Sequence, residues 1–476
     1  MSPRTLHEIY LEPFRRALAG HGVASIMGSY NRVNGEYVCQ SRELLALPRT
    51  RWGWAGVCVP DFIFAVRDPR AALLAGLDLP ALGGNGGRTE ADVAELGDER
   101  LDELVLHVLT AAEQVGLRRP PNAVSDPPAG SAELARRIVA DGMVLLHNRE
   151  AVLPLSSQVR VALIDAVGVR NVLVMGGAPS VSLVDERISS VAGCLESALS
   201  SSVSVQTVGP GEAALPPLEP EAGRVVDAVV RDTATGTEHR RTLDLFALAE
   251  PEGVGTDWSA DIRTRLRAPR AGRYTVTLEF GGRATLYAAD RPMVSGFREA
   301  SPMVFGPEYP LHAVLDLDAE QEVELRVAYE TSVAISVPGL PVQPHVRLGV
   351  AGPNDELGRA VALAADSDIA LVLAGRISGE AMDVDSLRLP GRQEEVVAAV
   401  AAANPRTILV TLSANPVILP KVELAAVLHA WFPGEQFAEA LAVVLTGAAE
   451  PVSRCRSPSP PTRNARRWRR PASIPA

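Results

Sequence analysis

Three observations predict an α/β fold with a parallel sheet that carries an inserted all-β module. Short apolar strands alternate with helical stretches in the first quarter of the chain, which implies βαβ crossovers. The alternation stops near residue 206, and residues 207–345 show period-two segments separated by turns. It resumes at 357, so an insertion explains the order better than a string of independent domains.

The elements follow in chain order. Thr5 to Gly20 reads as an amphipathic helix, with Leu6, Ile9, Tyr10, Phe14, Ala17 and Leu18 near helical spacing. Val23 to Met27 reads as a short buried strand, Glu43 to Trp52 as a helix, and Gly56 to Asp61 as an apolar strand ending on a carboxylate. A helix, a strand over Ala75–Leu79 and a striped helix over Leu101–Val115 are expected next. Pro120 through Pro128 has linker composition. Ser131 to Leu146 is expected as a helix, and Val159 to Ile164 opens a second α/β pattern. Within the β module, Arg273–Phe280, Ala284–Tyr287 and Glu322–Tyr329 alternate apolar and polar residues. Beyond it come a helix (Leu357–Ala365), a strand (Ile369–Ala374), a helix (Gln393–Ala403), strands Thr407–Leu412 and Ala426–Trp431, and a helix (Ala438–Leu445).

Composition narrows the function classes. The 476 residues carry 46 Lys+Arg against 57 Asp+Glu, a net charge of −11. Seven Arg and no acid lie between Val452 and Ala476, which leaves −18 on residues 1–451. An acidic body lacks the basic face that nucleic acid or anionic membrane requires. No apolar run reaches 18 residues, so no membrane partner is expected. Four scattered Cys without a CxxC exclude a disulfide scaffold and a zinc ribbon, and no HExxH is present. Neither a metal nor a cofactor is expected. The N-terminus shows no apolar signal segment, so the expected address is cytoplasmic. The oligomeric state is open, a homo-oligomer included.

Two carboxylates draw attention. Asp61 ends a buried strand, where parallel folds present catalytic groups, although taken alone an Asp there more often caps the next helix. Gly375 to Asp383, containing Glu380, reads as a flexible acidic loop after a strand, with a plain solvated loop as the alternative. Together they match the needs of glycoside hydrolysis. One carboxylate stays ionised to attack the anomeric carbon; the other donates a proton to the leaving oxygen and then serves as base for water. Met27 and Tyr30 at a strand end could line a sugar pocket, or merely pack beside an Asn34–Gly35 turn. Asp78 reads as structural and Trp431–Gly434 as a turn. Gly176–Ser180 is no P-loop, because no GKS or GKT follows.

Ala24–Gly35 resembles the SVM-SYN-VNG signature of glycoside hydrolase family 3, and Trp52–Phe62 is similar to its WGFDGFVVSDW nucleophile segment. Ala75–Leu79 follows in the expected place. Met143–Asn148 with Leu153–Leu155 resembles VLLKN…LPL, and Glu380–Gly391 resembles EGFDRxxLxLPG. Ala401–Pro405 and Trp431–Gly434 complete a series of seven segments in family order. The insertion resembles the protective-antigen-like β module of some β-glucosidases, through Tyr274, Arg283–Tyr287 and Asp290.

The resemblance implies the C-terminal part of a (β/α)8 barrel at 1–125 and an α/β sandwich domain at 126–206 and 346–450. A protective-antigen-like domain is implied at 207–345, with a disordered Arg/Pro-rich tail at 451–476. It implies a retaining glycosidase that releases non-reducing terminal sugars from oligosaccharide or aryl β-glycosides. Asp61 would be the nucleophile and Glu380 the acid/base. Met27, Tyr30 and Phe62 would contact the sugar, and the β module would lean over the pocket. Pro60 and Phe62 replace the family's Ser and Trp, Val384 replaces Arg, and Pro80–Leu82 replaces EMP. Roughly 200 residues of barrel would precede the family's matching segment, and the tail reads like a shifted frame. A catalytically impaired or carbohydrate-binding remnant is therefore the alternative expectation.

Overall fold

The computed structural model describes residues 1–61, 65–79, 93–117, 128–176, 181–209, 214–221, 223–249, 251–298, 310–332, 344–380, 384, 386–451 and 453–454. The Pro-rich linker at 120–127, Pro80–Leu82, the Gly-rich residues 177–180 and the tail from 455 lie outside them, as does Phe62. The chain divides into two compact units, Met1–Pro128 and Ala129–Ala334 with Gln343–Ala476.

In the first unit, a π-helical turn over Leu6–Tyr10 leads into α1 (Glu12–Leu18). The apolar stripe expected to be buried here is mostly exposed, with Ile9 at 63% and Phe14 at 54%. Only Leu6 and Leu18 reach a core. Strand β1 (Ser25–Gly28) precedes α2 (Arg42–Trp52) and pairs in parallel with β2 (Val57–Pro60), Ile26 opposite Cys58 and Gly28 opposite Pro60. The strand expected to be buried at 23–27 is half-buried at best, with Ser25 and Met27 exposed, because β2 is its one sheet neighbour among the described residues.

Helix α3 (Pro69–Ala75) follows, capped by Asp68, whose carboxylate accepts from the Ala71 N–H at 2.9 Å. Asp68 rather than Asp61 therefore caps this helix, so the capping alternative for Asp61 does not hold there. The expected strand at Ala75–Leu79 is absent. Gly76 closes the helix at φ 113°, and the N–H groups of Asp78 and Leu79 both hang from the Cys58 carbonyl, which leaves no ladder to extend. Helix α4 (Asp98–Gln114) buries Leu104 and Ala111 but exposes Leu106 and Leu109.

The second unit opens with α5 (Ser131–Gly142). The helix expected to reach Leu146 stops at Gly142, and Val144–Asn148 forms β3. The apolar run there gains an antiparallel strand partner, which outweighs a further helical turn. Strand β4 (Val161–Asp165), helix α6 (Val191–Leu199) and strand β5 (Val203–Thr207) begin the main sheet.

Ten strands come next: β6 (Val226–Asp232), β7 (Glu238–Leu243), β8 (Ala247–Ala249), β9 (Trp258–Arg267) and β10 (Gly272–Phe280), then β11 (Gly282–Ala288), β12 (Arg291–Arg298), β13 (Leu311–Leu317), β14 (Glu322–Glu330) and β15 (His345–Ala351). All their pairings are antiparallel. They make a six-stranded sheet ordered β12-β11-β14-β9-β6-β7 and a four-stranded sheet ordered β8-β15-β10-β13. Alternating residues such as Val226, Ala228 and Val230 of β6 share one apolar core with Val276, Leu278 and Phe280 of β10.

The main sheet then resumes with α7 (Glu356–Ala365), β16 (Ile369–Gly375), α8 (Gln393–Ala403), β17 (Thr407–Leu412), β18 (Ala426–His429), α9 (Phe437–Leu445) and β19 (Ser453–Arg454). Its order is β19-β3-β18-β17-β16-β4-β5. Successive residues of each central strand serve opposite cores. Val161 and Leu163 pack with α6 and α9, whereas Ala162 and Ile164 pack with α7 and α8. Burial on both faces explains why these strands are continuous apolar runs.

Candidate functional site

The five parallel strands β5-β4-β16-β17-β18 follow the chain order 2-1-3-4-5. In such a sheet the chain leaves in opposite directions from its first and third strands, and a crevice opens outside their carboxyl ends. That switch point lies between β4 and β16, and the residues that leave both strands there meet each other. The Gly176 N–H donates to the Ser378 carbonyl at 2.9 Å, and the Glu380 N–H donates to the Gly176 carbonyl at 3.1 Å. Glu380 is thus pinned by its backbone at the sheet's switch point, with its side chain exposed.

The loop base differs from the flexible segment expected. Gly375 through Ser378 is buried. A Cβ on Gly375 would lie 2.0 Å from the Leu412 carbonyl oxygen, so only glycine permits that close approach. The Arg376 N–H donates to the Leu412 carbonyl, Arg376 donates to the Arg388 carbonyl, and the Ala414 N–H donates to Ser378 Oγ at 3.2 Å. Ala381, Met382 and Asp383 lie outside the described residues. Nearby, Asp165 at the end of β4 accepts the N–H groups of Val167, Gly168 and Val169, while burial raises its carboxyl above the usual range. It lines a cavity of about 320 Å³ with Arg170, Ser189, Ser190 and Glu435.

The other sequence candidates lie in the first unit. Asp61, half-buried, directly follows β2, and its N–H donates to the Gly28 carbonyl at 2.7 Å. That bond extends the β1–β2 ladder by one residue and sets the Asp61 backbone at the strand end. Met27 on β1 and Tyr30 just beyond it are exposed, at 61% and 37%. Beyond them, Asn34 (φ 51°) and Gly35 (φ 95°) form the two-residue turn of a hairpin that pairs Val33 with Glu36. Under the strand end, Cys39 Sγ fills the space where a Cβ on Gly28 would stand, 2.6 Å away, and burial pushes its thiol up to about 11.

Asp78 is a different kind of carboxylate. Its side chain is fully buried and takes Arg49, the Cys58 N–H at 2.6 Å and His107 Nδ1 at 2.8 Å. It also borders an apolar cavity of about 510 Å³ lined by Leu73, Leu96, Leu104 and Leu109. With its oxygens committed to three partners it ties α2, β2 and α4 together, in keeping with a structural role. Among the described residues no group of three or more His, Cys, Asp or Glu is placed to hold a metal ion, and no helix is long and apolar enough to cross a membrane. Sequence reasoning missed Cys39, Gln393 and the Asp165 turn. A Gln two residues after Pro-Gly was the only available signal for Gln393.

Comparison with known proteins fits this arrangement. The model of the glycosyl hydrolase family 3 C-terminal domain matches residues 143–466. The chain belongs to glycoside hydrolase family 3. It is similar to a β-glucosidase of Rhizobium radiobacter, 31% identical over 95% of this chain and 58% of that protein. It is also similar to the structure of a β-glucosidase from Kluyveromyces marxianus in complex with glucose, with TM-score 0.60, 26% identity, and 95% and 59% of the two chains covered. DesR, a β-glucosidase from Streptomyces venezuelae in complex with D-glucose, shares the fold at TM-score 0.60 and 24% identity, over 94% and 56% of the chains. The chain thus spans under two thirds of the length of these relatives.

Proposed function

We propose that the protein is a retaining glycoside hydrolase of the β-glucosidase type, acting on the terminal sugar of β-linked oligosaccharides or aryl glycosides. The observation that carries the reading is the pair of carboxylates presented at parallel-strand ends, Asp61 after β2 and Glu380 at the switch point, in a family 3 chain. In this reading residues 1–125 are the C-terminal part of a (β/α)8 barrel, and 126–206 with 346–450 are an α/β sandwich domain. Residues 207–345 are a protective-antigen-like insertion, and 451–476 are a tail.

The chemistry follows from the residue types. Ionised Asp61 attacks the anomeric carbon while protonated Glu380 gives its proton to the departing glycosidic oxygen. A glycosyl ester on Asp61 results. Glu380, now ionised, takes a proton from water, whose oxygen displaces Asp61 and releases the sugar with its configuration retained. This route requires the two carboxyl groups to come about 5–5.5 Å apart during the reaction. Met27, Tyr30 and Phe62 line the sugar site in this assignment, with ring and thioether against the apolar face of the sugar. Hydrolysis of an aryl β-glucoside by the purified chain, abolished by Asp61→Ala, is the expected result. Turnover that survives Asp61→Ala would overturn the assignment.

A second reading, a carbohydrate-binding remnant, is favoured by one observation. Strand β1 has a single sheet neighbour among the described residues and exposes Met27. Glucose binding by calorimetry without turnover would select it.

A further inference from the structure

The loop that carries Glu380 leaves the sheet at Gly375 and returns at Gln393, the first residue of α8. At that crossing Gln393 is 3% exposed, and its side-chain amide meets both backbone groups of Gly375. Its Oε1 accepts the Gly375 N–H at 2.7 Å, and its Nε2 donates to the Gly375 carbonyl at 2.9 Å, between residues 18 apart in sequence. A primary amide donates and accepts at once without carrying a charge. The pairing imitates a strand neighbour and shuts the loop at its root.

The same root has two further ties. Arg376, 7% exposed, donates to the Arg388 carbonyl inside the loop's return limb. On the far side Glu395, two residues past Gln393, bonds Arg273 of β10 at 2.7 Å, and the ring of His312 on β13 lies against Gly391. The return limb is therefore held between the main sheet and the β module, while Gly176 holds the outgoing limb at Ser378 and Glu380.

We infer that Gln393 is a positioning residue for Glu380: by closing the loop on Gly375 it sets where the acid/base carboxyl stands, without touching substrate. The inference rests on the reading of Glu380 as acid/base. A proton donor displaced by about 1 Å can lose about 100-fold in rate, and the loss appears only where proton donation matters.

The test compares Gln393→Ala and the near-isosteric Gln393→Glu with the parent chain, using two aryl β-glucosides. One has a poor phenolate leaving group that needs protonation, and the other is a dinitrophenyl glucoside that does not. The expected result is a fall in kcat/KM of about 10–100-fold on the first substrate and under about threefold on the second. Gln393→Glu should recover part of the loss at low pH, where its protonated carboxyl can again donate to the Gly375 carbonyl. An equal fall on both substrates would mean a merely structural residue and would overturn the inference.

Amide hydrogen exchange, read on the same proteins, needs no activity. Exchange at Gly375–Glu380 should quicken at least about tenfold in Gln393→Ala with Thr407–Leu412 unchanged. Unchanged loop exchange would sink the proposal. If the parent chain shows no turnover, the hydrolase reading fails, and the exchange result still decides whether Gln393 closes the loop.

Discussion

Replacing Asp78 with alanine should unfasten the first unit. The carboxylate is wholly buried, and the Arg49 side chain that it meets is 14% exposed. Its loss leaves the Arg49 guanidinium buried without its ionic partner and strips acceptors from the Cys58 N–H and His107. Arg49 Nε already has no hydrogen-bond partner. Breaking a buried ion pair from one side costs about 3–5 kcal/mol. Asp78→Asn keeps one acceptor oxygen for the Cys58 N–H and should cost about 1–3 kcal/mol. Removing both charges, as in Arg49→Met with Asp78→Leu, should cost well under the sum of the single changes, because no uncompensated charge remains.

A whole-chain melt would mix the two units. Alkylation of Cys58 reads the first unit alone. Burial pushes this thiol up to about 11, so it reacts only when the unit opens. Peptide-resolved labelling across a urea series should shift by the stated free energies. A shift below about 1 kcal/mol for Asp78→Ala, or a fully additive double change, would show that the buried ion pair does not hold this unit together.

Three further outcomes are expected. Burial lowers the His429 imidazole below its ordinary value, although a backbone hydrogen bond with Ser413 opposes this. The unfolded chain then binds the proton more readily, so His429's contribution is present above pH about 6.5 and is lost as pH falls through the folded value. Melting of the second unit should drop over that window, and His429→Gln should flatten the slope; an unchanged slope would contradict the burial argument. Gly375→Ala drives a Cβ into the Leu412 carbonyl and should destabilise the second unit by about 1–3 kcal/mol in urea unfolding. Glu380→Ala should lose most activity on poor leaving groups; on a dinitrophenyl glucoside, which needs no proton donor, added azide should speed turnover by attacking the glycosyl ester without a base, with the product a β-glycosyl azide by NMR; no rescue would argue against the acid/base role.

Much of the architecture was legible because burial on both faces leaves a plain mark. Ile369–Ala374 is an unbroken apolar run and Thr407–Leu412 is apolar but for two buried Thr, and both are central parallel strands. Strands β10, β11 and β14 announced themselves by period two. The errors arose where tertiary partners decided. Ala75–Leu79 is apolar enough for a strand, but the Gly76 and Leu77 N–H groups turn back onto the helix and those of Asp78 and Leu79 share the Cys58 carbonyl, so no ladder forms. Met143–Leu146 could continue a helix, yet a position between β18 and β19 was open to it. At the site, Asp61 and Glu380 stood out as carboxylates after strands. The ties that set Glu380's backbone did not, because Gln393, Gly176 and Gly375 carry no reactive group and meet only in the folded sheet.

In the proposed mechanism Asp61 takes the sugar covalently. In a 2-deoxy-2-fluoroglucosyl fluoride the C2 fluorine slows both displacements and the activated leaving group speeds only the first, so the intermediate accumulates. Mass mapping of the chain after incubation should find one fluoroglucosyl group on the peptide that contains Asp61, and none in Asp61→Ala. An unlabelled chain, or a label on any other carboxylate, would contradict the account.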